Sequence, residues 1–305
     1  MSRPVTVLRD IQFRLEYVAL RLIVGLVRAI PLDQAIKVSA ATWRFLAPRV
    51  SLKRHARALA NLAIAFPEKT DAERTSIALA HWENLGRVMV ETMQLDRIVR
   101  QPERIEIANP KVFARYQGKL GPLIGVSLHM GNWELAIWPL TVAGANPAAV
   151  YRAVNNPYVD RYLRHQRRDL YPGGLFGRGK VEGDHGDKQT GRQLMEHVKR
   201  GGRLGIVSDL YDRSGIPVPF FGQDARTVAG PVMIARRTGA RVWMARAVRI
   251  DNACRFRIEM LELQIPRTSN AGADIVAATA MMQAQFEVWV RELPDQWMWS
   301  NRRWS

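Results

Sequence analysis

The sequence predicts an α/β protein with a helical N-terminal part, residues 1–119, followed by a mixed, largely parallel β-sheet flanked by helices, residues 120–305. Three observations support this fold class. The 305 residues are 47% hydrophobic, which is enough for a sizeable core. Before residue 119, apolar residues recur at helical spacing and glycines are scarce. After residue 120, short apolar runs alternate with helical stretches, as in α/β sheets. We expect both parts to form one compact unit.

The first apolar segment predicts an amphipathic helix. Glu16, Arg21 and Arg28 interrupt it, whereas a membrane span needs about 18 or more apolar residues in a row. Such a helix lies in a membrane interface or packs on a core, and the sequence leaves both possibilities open. Leu15 and Leu22 among the arginines favour the interface, with the arginines reaching anionic head groups.

Further helices fill the rest of the N-terminal part. Pro31 and Pro67 separate them, because proline disrupts a helix interior. Asp71 is the predicted N-cap of a helix that carries apolar residues at helical spacing up to Met89.

Five strands and five helices are predicted after residue 120. The strands are Leu123–Leu128, Ala148–Tyr151, Leu204–Ser208, Val242–Ile250 and Phe256–Leu263. The helices are Asn132–Val142, Pro157–Leu170, Gln189–Lys199, Gly230–Thr238 and Ala271–Glu292. Thr227 is the expected cap of the fourth helix, with Pro231 in its first turn. In such folds, functional side chains collect at the C-terminal ends of strands.

The charge predicts an acidic partner. The chain carries 45 lysines and arginines against 28 acids, a formal net charge of +17, and 37 of the basic residues are arginine. Arginine presents a planar fork of donors that pairs with phosphate or carboxylate. The partner could be nucleic acid, an anionic membrane, a phosphorylated substrate or an acidic protein.

The single cysteine and the absence of several motifs disfavour some classes of protein. The single cysteine, Cys254, allows neither an internal disulfide nor a cysteine-based metal cluster. The sequence contains no Walker A loop, dinucleotide-binding glycine fingerprint, His-Glu-x-x-His motif or Gly-x-Ser-x-Gly elbow. ATPases, dehydrogenases, zinc proteases and ordinary serine hydrolases are therefore disfavoured.

The first candidate for chemistry is the segment that ends at Glu134. A strand is expected to end at His129, a glycine turn follows, and Glu134 falls in the first turn of the next helix. There a histidine can act as a general base while the carboxylate fixes its tautomer and offsets its charge. A histidine five residues before an acid is common by chance. The prediction therefore depends on the order of strand, histidine, glycine turn and helix. The alternative is that His129 has only a structural role.

Arginines follow the next predicted strand. Arg152 ends that strand, and the following helix carries Arg161, Arg164 and Arg168 on one stripe, with Arg167 offset. The stripe is either a solvated basic face or a binding surface. Arg152 and Arg167 are better placed to approach the strand ends.

Two more segments could contribute. Asp209 follows the strand that begins at Leu204, a position that suits a site or a turn. The C-terminal segment, residues 295–304, mixes tryptophans with arginines. These aromatics could stack on bases, lie at a membrane interface or pack internally, and the residues alone do not distinguish these three roles.

The segments, in this order, resemble the bacterial lipid A late acyltransferases, the lauroyl and myristoyl transferases of the lysophospholipid acyltransferase superfamily. His129-Met-Gly-Asn-Trp-Glu134 resembles their His-x4-Asp/Glu motif. Tyr151-Arg152 with Asn156-Pro157 resembles their Tyr-Arg-Pro…Asn-Pro block, although Ala153 replaces the proline. A helical arginine, a strand-end aspartate and a C-terminal tryptophan motif also match, at Arg167, Asp209 and Trp297-Met-Trp299. Phosphatidylinositol mannoside acyltransferases share the pattern, which spans roughly residues 50–304.

The resemblance implies a fold like that of glycerol-phosphate acyltransferases and the transfer of a fatty acyl chain from acyl carrier protein to a hydroxyl of a lipid A precursor. The enzyme would be peripheral or monotopic at the cytoplasmic face of the cell inner membrane. Acyl carrier protein, the phosphorylated precursor and the anionic membrane would all suit a +17 chain. No cofactor or metal is expected, because a thioester is already activated.

The resemblance also implies roles for the candidates. His129 would take the hydroxyl proton, and Glu134 would orient it. Arg167 or Arg152 would support the oxyanion or hold a phosphate, while Asp209 would orient an arginine or the second face of the site. The expected substrate-binding residues are Arg152, Asn156, Arg164 and Arg168.

Two alternatives stay open. One is an acyltransferase that uses acyl-CoA and acts on another glycolipid or on a phospholipid. The other is a basic nucleic-acid-binding protein, which would explain the arginines but not a histidine and an acid delivered to strand ends. No known nucleic-acid module is present, so we expect no nucleic-acid partner.

Overall fold

Helices form the N-terminal part of the chain. The computed structural model describes residues 7–110, 121–178 and 186–304. The first helices are α1 (Val7–Ala29), α2 (Leu32–Val50), α3 (Leu52–Ala65), α4 (Asp71–Thr92) and the short α5 (Leu95–Ile98). Within the described ranges, no helix combines the length and the hydropathy that crossing a membrane requires.

The start of α4 differs by one residue from the prediction. The hydroxyl of Thr70 accepts a hydrogen bond from the backbone N–H of Glu73, and the Glu73 carboxylate accepts one from the backbone N–H of Thr70. This reciprocal capping box satisfies two N–H groups that the helix leaves unpaired. The predicted cap, Asp71, was therefore wrong: it is the first helical residue and pairs with Arg74.

The α/β fold class is confirmed by a seven-stranded mixed sheet. The strands of the chain are β1 (Ile105–Ile107), β2 (Leu123–Gly131), β3 (Ala148–Arg152), β4 (Gly174–Arg178), β5 (Arg203–Val207), β6 (Tyr211–Phe220), β7 (Gln223–Thr227), β8 (Arg241–Arg249) and β9 (Phe256–Leu263). The sheet order is β1-β9-β8-β2-β5-β3-β4, and only the β8–β9 pair is antiparallel. Strands β6 and β7 form a separate antiparallel pair.

The five predicted strands are all present, and four others were missed. Strand β1 lies in the part that was expected to be wholly helical, and its three residues are too few to show a period. Strand β4 contains Gly174 and Gly177, and β6 contains Pro217 and Pro219. Both residue types weaken a strand signal.

The remaining helices flank the sheet. They are α6 (Trp138–Val142), α7 (Pro157–Gln166), α8 (Gly186–Lys199), α9 (Gly230–Thr238) and α10 (Ala271–Glu292), and a 3₁₀ turn, Trp133–Ile137, precedes α6. Helices α9 and α10 have the predicted bounds. Thr227 does not cap α9: it ends β7, and its hydroxyl accepts a hydrogen bond from Arg303. Pro231 does lie in the first turn of α9.

Apolar side chains pack on both faces of the sheet. Leu62 of α3 belongs to the cluster on one face with Val126 and Met244. Ile36 of α2 belongs to the cluster on the other face with Trp243. The N-terminal helices thus help to cover both faces. The predicted boundary at residues 119–120 lies at the edge of the segment outside the described residues.

Candidate active site

His129 and Asp209 meet at the C-terminal ends of two neighbouring strands. Strands β2 and β5 run parallel, with Ser127 opposite Val207. The residues that follow therefore lie side by side. The Nδ1 atom of His129 is 2.7 Å from Oδ1 of Asp209, and the backbone N–H of His129 donates to Oδ2 at 2.8 Å. Trp297 donates its indole N–H to the same Oδ2 at 2.7 Å.

The environment of Asp209 keeps it ionised. Burial raises the pKa of this carboxyl, but the charge of His129 and the hydrogen bonds from His129 and Trp297 outweigh burial and hold the pKa below its ordinary value. An ionised carboxylate only accepts hydrogen bonds. The Nδ1 atom of His129 therefore carries a proton, and Nε2 is the ring nitrogen that remains for another partner.

The C-terminal segment holds the histidine in place. The backbone N–H of Met298 donates to the carbonyl of His129 at 2.9 Å, and Met130 forms a β-bridge with Trp297. The side chains of Trp297, Trp299 and Trp304 are buried. Of the three roles that the sequence left open for these aromatics, the structure shows internal packing.

A glycine and an asparagine shape the turn after His129. Gly131 has φ +55°, and a Cβ atom there would lie 1.9 Å from the carbonyl oxygen of Ala247, so only glycine fits. The side chain of Asn132 accepts from the backbone N–H of Glu134 and donates to Glu91 at 2.9 Å. Glu91 is itself buried against Arg249, with contacts of 2.5 and 2.9 Å. The turn is thereby tied to α4 and β8.

Glu134 contacts an arginine rather than the histidine. It accepts hydrogen bonds from Nε of Arg167 at 2.9 Å and from Nη2 at 2.5 Å. Burial lowers the pKa of Arg167, but the adjacent Glu134 raises it by more, so the net shift is upward and the guanidinium stays charged. The expected contact between His129 and Glu134 is replaced by two separate pairs. The reason is that Asp209, delivered by the adjacent strand, already occupies Nδ1 of the histidine.

These pairs border one cavity of about 600 Å³. His129, Glu134 and Arg167 line it together with Arg152, which ends β3. Within the described chain, Nη1 of Arg167 has no hydrogen-bond acceptor. The guanidinium of Arg167, the imidazole of His129 and the exposed Arg152 therefore face the same space.

A narrow apolar crevice adjoins this cavity. It measures about 50 Å³ and lies between β2, β5 and the 3₁₀ turn, with Gly125, Gly205 and Ile137 in its wall. Trp133 lines both spaces, and its ring contacts the His129 ring at 5.1 Å between centroids. The crevice is lined almost wholly by apolar side chains and would favour hydrocarbon over water.

Three of the expected substrate-binding residues lie outside this cavity. Asn156 caps α7, and its amide also donates to the carbonyl of Phe13 and to Glu16 on α1, both at 2.8 Å. The oxygen of its side chain thus caps α7, and its NH₂ group holds α1 against that helix. Arg164 lies over the ring of Tyr151. Arg168 lines a different cavity, between α1 and α7.

Sequence reasoning missed three aromatic residues of the site. Trp297 donates to Asp209, and Trp133 and the half-buried Tyr171 line both the cavity and the crevice. Burial and the charge of Glu134 raise the pKa of Tyr171. Of the three, only Trp297 could have been identified from the sequence, because it belongs to the C-terminal tryptophan motif that matches the family. In the described parts of the chain, no three His, Cys, Asp or Glu side chains are grouped so that they could hold a metal ion.

Comparison with known proteins agrees with this geometry. The model of the family described as bacterial lipid A biosynthesis acyltransferase matches residues 11–305. The lipid A biosynthesis lauroyltransferase of Escherichia coli K12 is 26% identical over 83% of this chain and 79% of its own. The palmitoleoyltransferase of the same strain is 24% identical (88% and 82%), and the phosphatidylinositol mannoside acyltransferase of Mycolicibacterium smegmatis is 22% identical (92% and 88%). Because the family match covers nearly the whole sequence, this chain is an acyltransferase and belongs to the bacterial lipid A biosynthesis acyltransferase family.

Proposed function

We propose that this acyltransferase moves a fatty acyl chain from the thioester of acyl carrier protein to a hydroxyl of a phosphorylated lipid A precursor. The observation that carries the proposal is the His129–Asp209 pair, which places an imidazole in the basic cavity beside Trp133, a residue that also lines the apolar crevice. Such a site offers a base for a hydroxyl, a wall for hydrocarbon and cations for phosphate.

The reaction follows from the placement of these groups. Nε2 of His129 takes the proton of the acceptor hydroxyl, and the oxygen attacks the thioester carbonyl. Asp209 stabilises the imidazolium that forms. The carbon–sulfur bond then breaks, and the leaving thiolate takes the proton back from His129. Arg167, through its unoccupied Nη1, supports the oxyanion or holds a phosphate of the acceptor, with Arg152 beside it.

The acyl chain of the donor would enter the apolar crevice. Its present volume of about 50 Å³ holds only one or two water molecules at about 30 Å³ each. Entry of a chain therefore requires side chains such as Ile137 and Trp133 to move aside. Because Gly125 and Gly205 carry no side chain, the acyl chain can lie across the face of the sheet at β2 and β5 once Ile137 has moved.

The enzyme would work on the cytoplasmic face of the inner membrane, attached as a peripheral or monotopic protein. Helix α1 exposes an apolar stripe formed by Ile11, Leu15, Val18, Leu22 and Leu26. An exposed stripe of this kind on a +17 protein suits an anionic lipid surface. Two arginines expected to reach head groups are already paired, Arg14 with Asp10 and Arg28 with Asp96.

Reconstitution tests the transfer. Purified enzyme is given either the lipid A precursor or a phosphatidylinositol mannoside as acceptor, each with either acyl carrier protein or coenzyme A as the acyl carrier, and products are read by mass spectrometry. We expect transfer from the protein-bound donor, with a loss of about 10²–10⁴-fold in His129→Ala. A faster reaction with acyl-CoA, or transfer only to a phosphatidylinositol mannoside, would favour the alternative that the mycobacterial relatives suggest.

Flotation with vesicles tests membrane attachment. Leu15→Glu combined with Leu22→Glu should release the protein from vesicles that contain phosphatidylglycerol. The matched control is Val276→Glu with Val288→Glu, which places the same charges on exposed apolar positions of α10. Equal release by both pairs would show that the stripe has no special part in attachment.

A further inference from the structure

A second, larger cavity lies on the other side of α7. It measures about 770 Å³ and is formed by α1, the end of α5 and α7. It shares no lining residue with the active-site cavity. The neighbouring residues Arg167 and Arg168 line different cavities. The second cavity is therefore a separate compartment that the transfer reaction, as derived above, does not use.

This cavity is strongly basic. Its arginines are Arg21, Arg28, Arg100, Arg161 and Arg168. Only two carboxylates line it, those of Asp96 and Asp169. Arg28 occupies Asp96 with contacts of 2.7 and 2.9 Å, and Arg168 contacts Asp169. Among the described residues, no carboxylate lies within ion-pair distance of the other three arginines. Their charges are left for a ligand.

A buried hydroxyl in the wall also lacks a partner. Tyr162 lines the cavity and is more than nine-tenths buried, yet its hydroxyl makes no hydrogen bond within the described chain. The side-chain amide of Gln166 lies nearby without hydrogen-bonding geometry. A buried polar group without a partner is unfavourable, and an oxygen atom of a ligand would supply one. Arg21 lies over the same ring at 5.3 Å.

The cavity adjoins the apolar stripe of α1. Residues of an α-helix are separated by about 100° around the axis, so Tyr17, Arg21 and Arg28 share one face. The stripe defined above lies about a third of a turn away. A molecule with an anionic group in the cavity would therefore have the apolar surface of α1 directly beside it.

We infer that this cavity binds the phosphate group of a membrane lipid, whose acyl chains lie along the apolar stripe of α1. The excess of positive charge matches a phosphate, and the adjoining stripe matches hydrocarbon, which a free phosphate lacks. The inference rests on the proposed attachment to the membrane. The lipid is either the phosphorylated acceptor or a bulk anionic phospholipid, because both offer the same group.

A binding assay without any acyl donor tests the site. Phosphatidylcholine vesicles are prepared alone, with phosphatidylglycerol, or with the bisphosphorylated glycolipid, and the affinity of the protein is measured by flotation. The cavity variants are Arg21→Gln with Arg161→Gln, and Tyr162→Phe. The control pair is Arg237→Gln with Arg267→Gln, which removes the same charge from exposed positions elsewhere. Thermal unfolding confirms that each variant is folded.

The expected result is specific to the cavity. The arginine pair should lose about tenfold or more of the affinity gained from the phosphate lipid, and Tyr162→Phe about fivefold without any change of charge. Binding to pure phosphatidylcholine should not change. A gain from the glycolipid alone would identify the acceptor as the ligand, and a gain from both lipids a general head-group site.

Two results would overturn the inference. An equal loss of affinity in the control pair would show that the effect comes from the overall charge of the protein and not from the cavity. Full competition by inorganic phosphate at the lipid's concentration would show that the apolar stripe contributes nothing. Failure of the proposed transfer would be visible separately, because this assay contains no donor and the transfer assay needs no vesicles of altered charge.

Discussion

Replacing Asp209 by asparagine should disable the histidine without unfolding the protein. Oδ2 of Asp209 accepts two N–H groups, from the backbone of His129 and from Trp297, while Oδ1 faces Nδ1 of His129. An asparagine satisfies both N–H donors only if its oxygen takes the place of Oδ2. Its NH₂ group then points at Nδ1. The histidine must accept there, which moves its proton to Nε2, the atom that should act as the base.

The size of the effect follows from this change of tautomer. In a histidine–aspartate pair of this geometry, the wrong tautomer costs about 10⁴-fold in rate, or about 5 kcal/mol of transition-state stabilisation. The folded state loses one charge-assisted hydrogen bond, which we expect to cost about 1–3 kcal/mol. The loss of activity should therefore far exceed the loss of stability.

Single-turnover transfer and urea unfolding, measured on the same preparations, separate the two effects. Asp224→Asn serves as the control, because Asp224 is an exposed strand residue. We expect the control to transfer at the wild-type rate. The rate of Asp209→Asn should not recover at high pH, because the tautomer of His129, and not its protonation, limits that rate. If Asp209→Asn kept more than about a tenth of the wild-type rate, the pair would not be the catalytic base.

Three further substitutions probe the site and the core. Arg167→Lys should lower kcat/KM about tenfold to a hundredfold in steady-state transfer, because one ammonium cannot reproduce the forked contact with Glu134. Gly125→Ala adds a methyl group 3.6 Å from Ile137, and in competition assays it should shift preference towards the shorter of two acyl chains by about tenfold. Burial lowers the pKa of His81 to about 3. Since the unfolded histidine binds a proton near pH 6.5, wild type should lose about 2 kcal/mol of its unfolding free energy between pH 7 and pH 5, and His81→Asn should lose less on urea titration.

The sequence predicted those strands whose apolar runs are continuous. Strands β2 and β5 lie inside the sheet and are covered on both faces, so most of their residues are apolar. Strands β4 and β6 carry glycines or prolines, and their pairing depends on neighbours that are distant in the chain. No local pattern could show that β1 pairs with β9, about 150 residues later.

The candidate residues were easier to predict than their partners. His129 and Asp209 were singled out because they end predicted strands, Glu134 because it lies in the helical turn after one, and Arg167 because it matches the family's helical arginine. Their pairing depends on sheet order, which places β2 beside β5. His129 and Glu134 are close in sequence, and this closeness suggested a contact. The aspartate that contacts the histidine is instead 80 positions away.

In the proposed mechanism, the two charged pairs would depend on each other through the proton that His129 takes up during transfer. Asp209 compensates the imidazolium directly, at 2.7 Å. Arg167 lines the same cavity, and its charge alone would oppose the imidazolium in this partly enclosed space. Glu134 neutralises Arg167 through Nε and Nη2 and leaves Nη1 free. The arginine can thus bind the oxyanion without a large repulsion towards the histidine. The sequence-based expectation was that Glu134 contacts the histidine and offsets its charge; in the proposed mechanism it would instead act on the arginine, which it contacts.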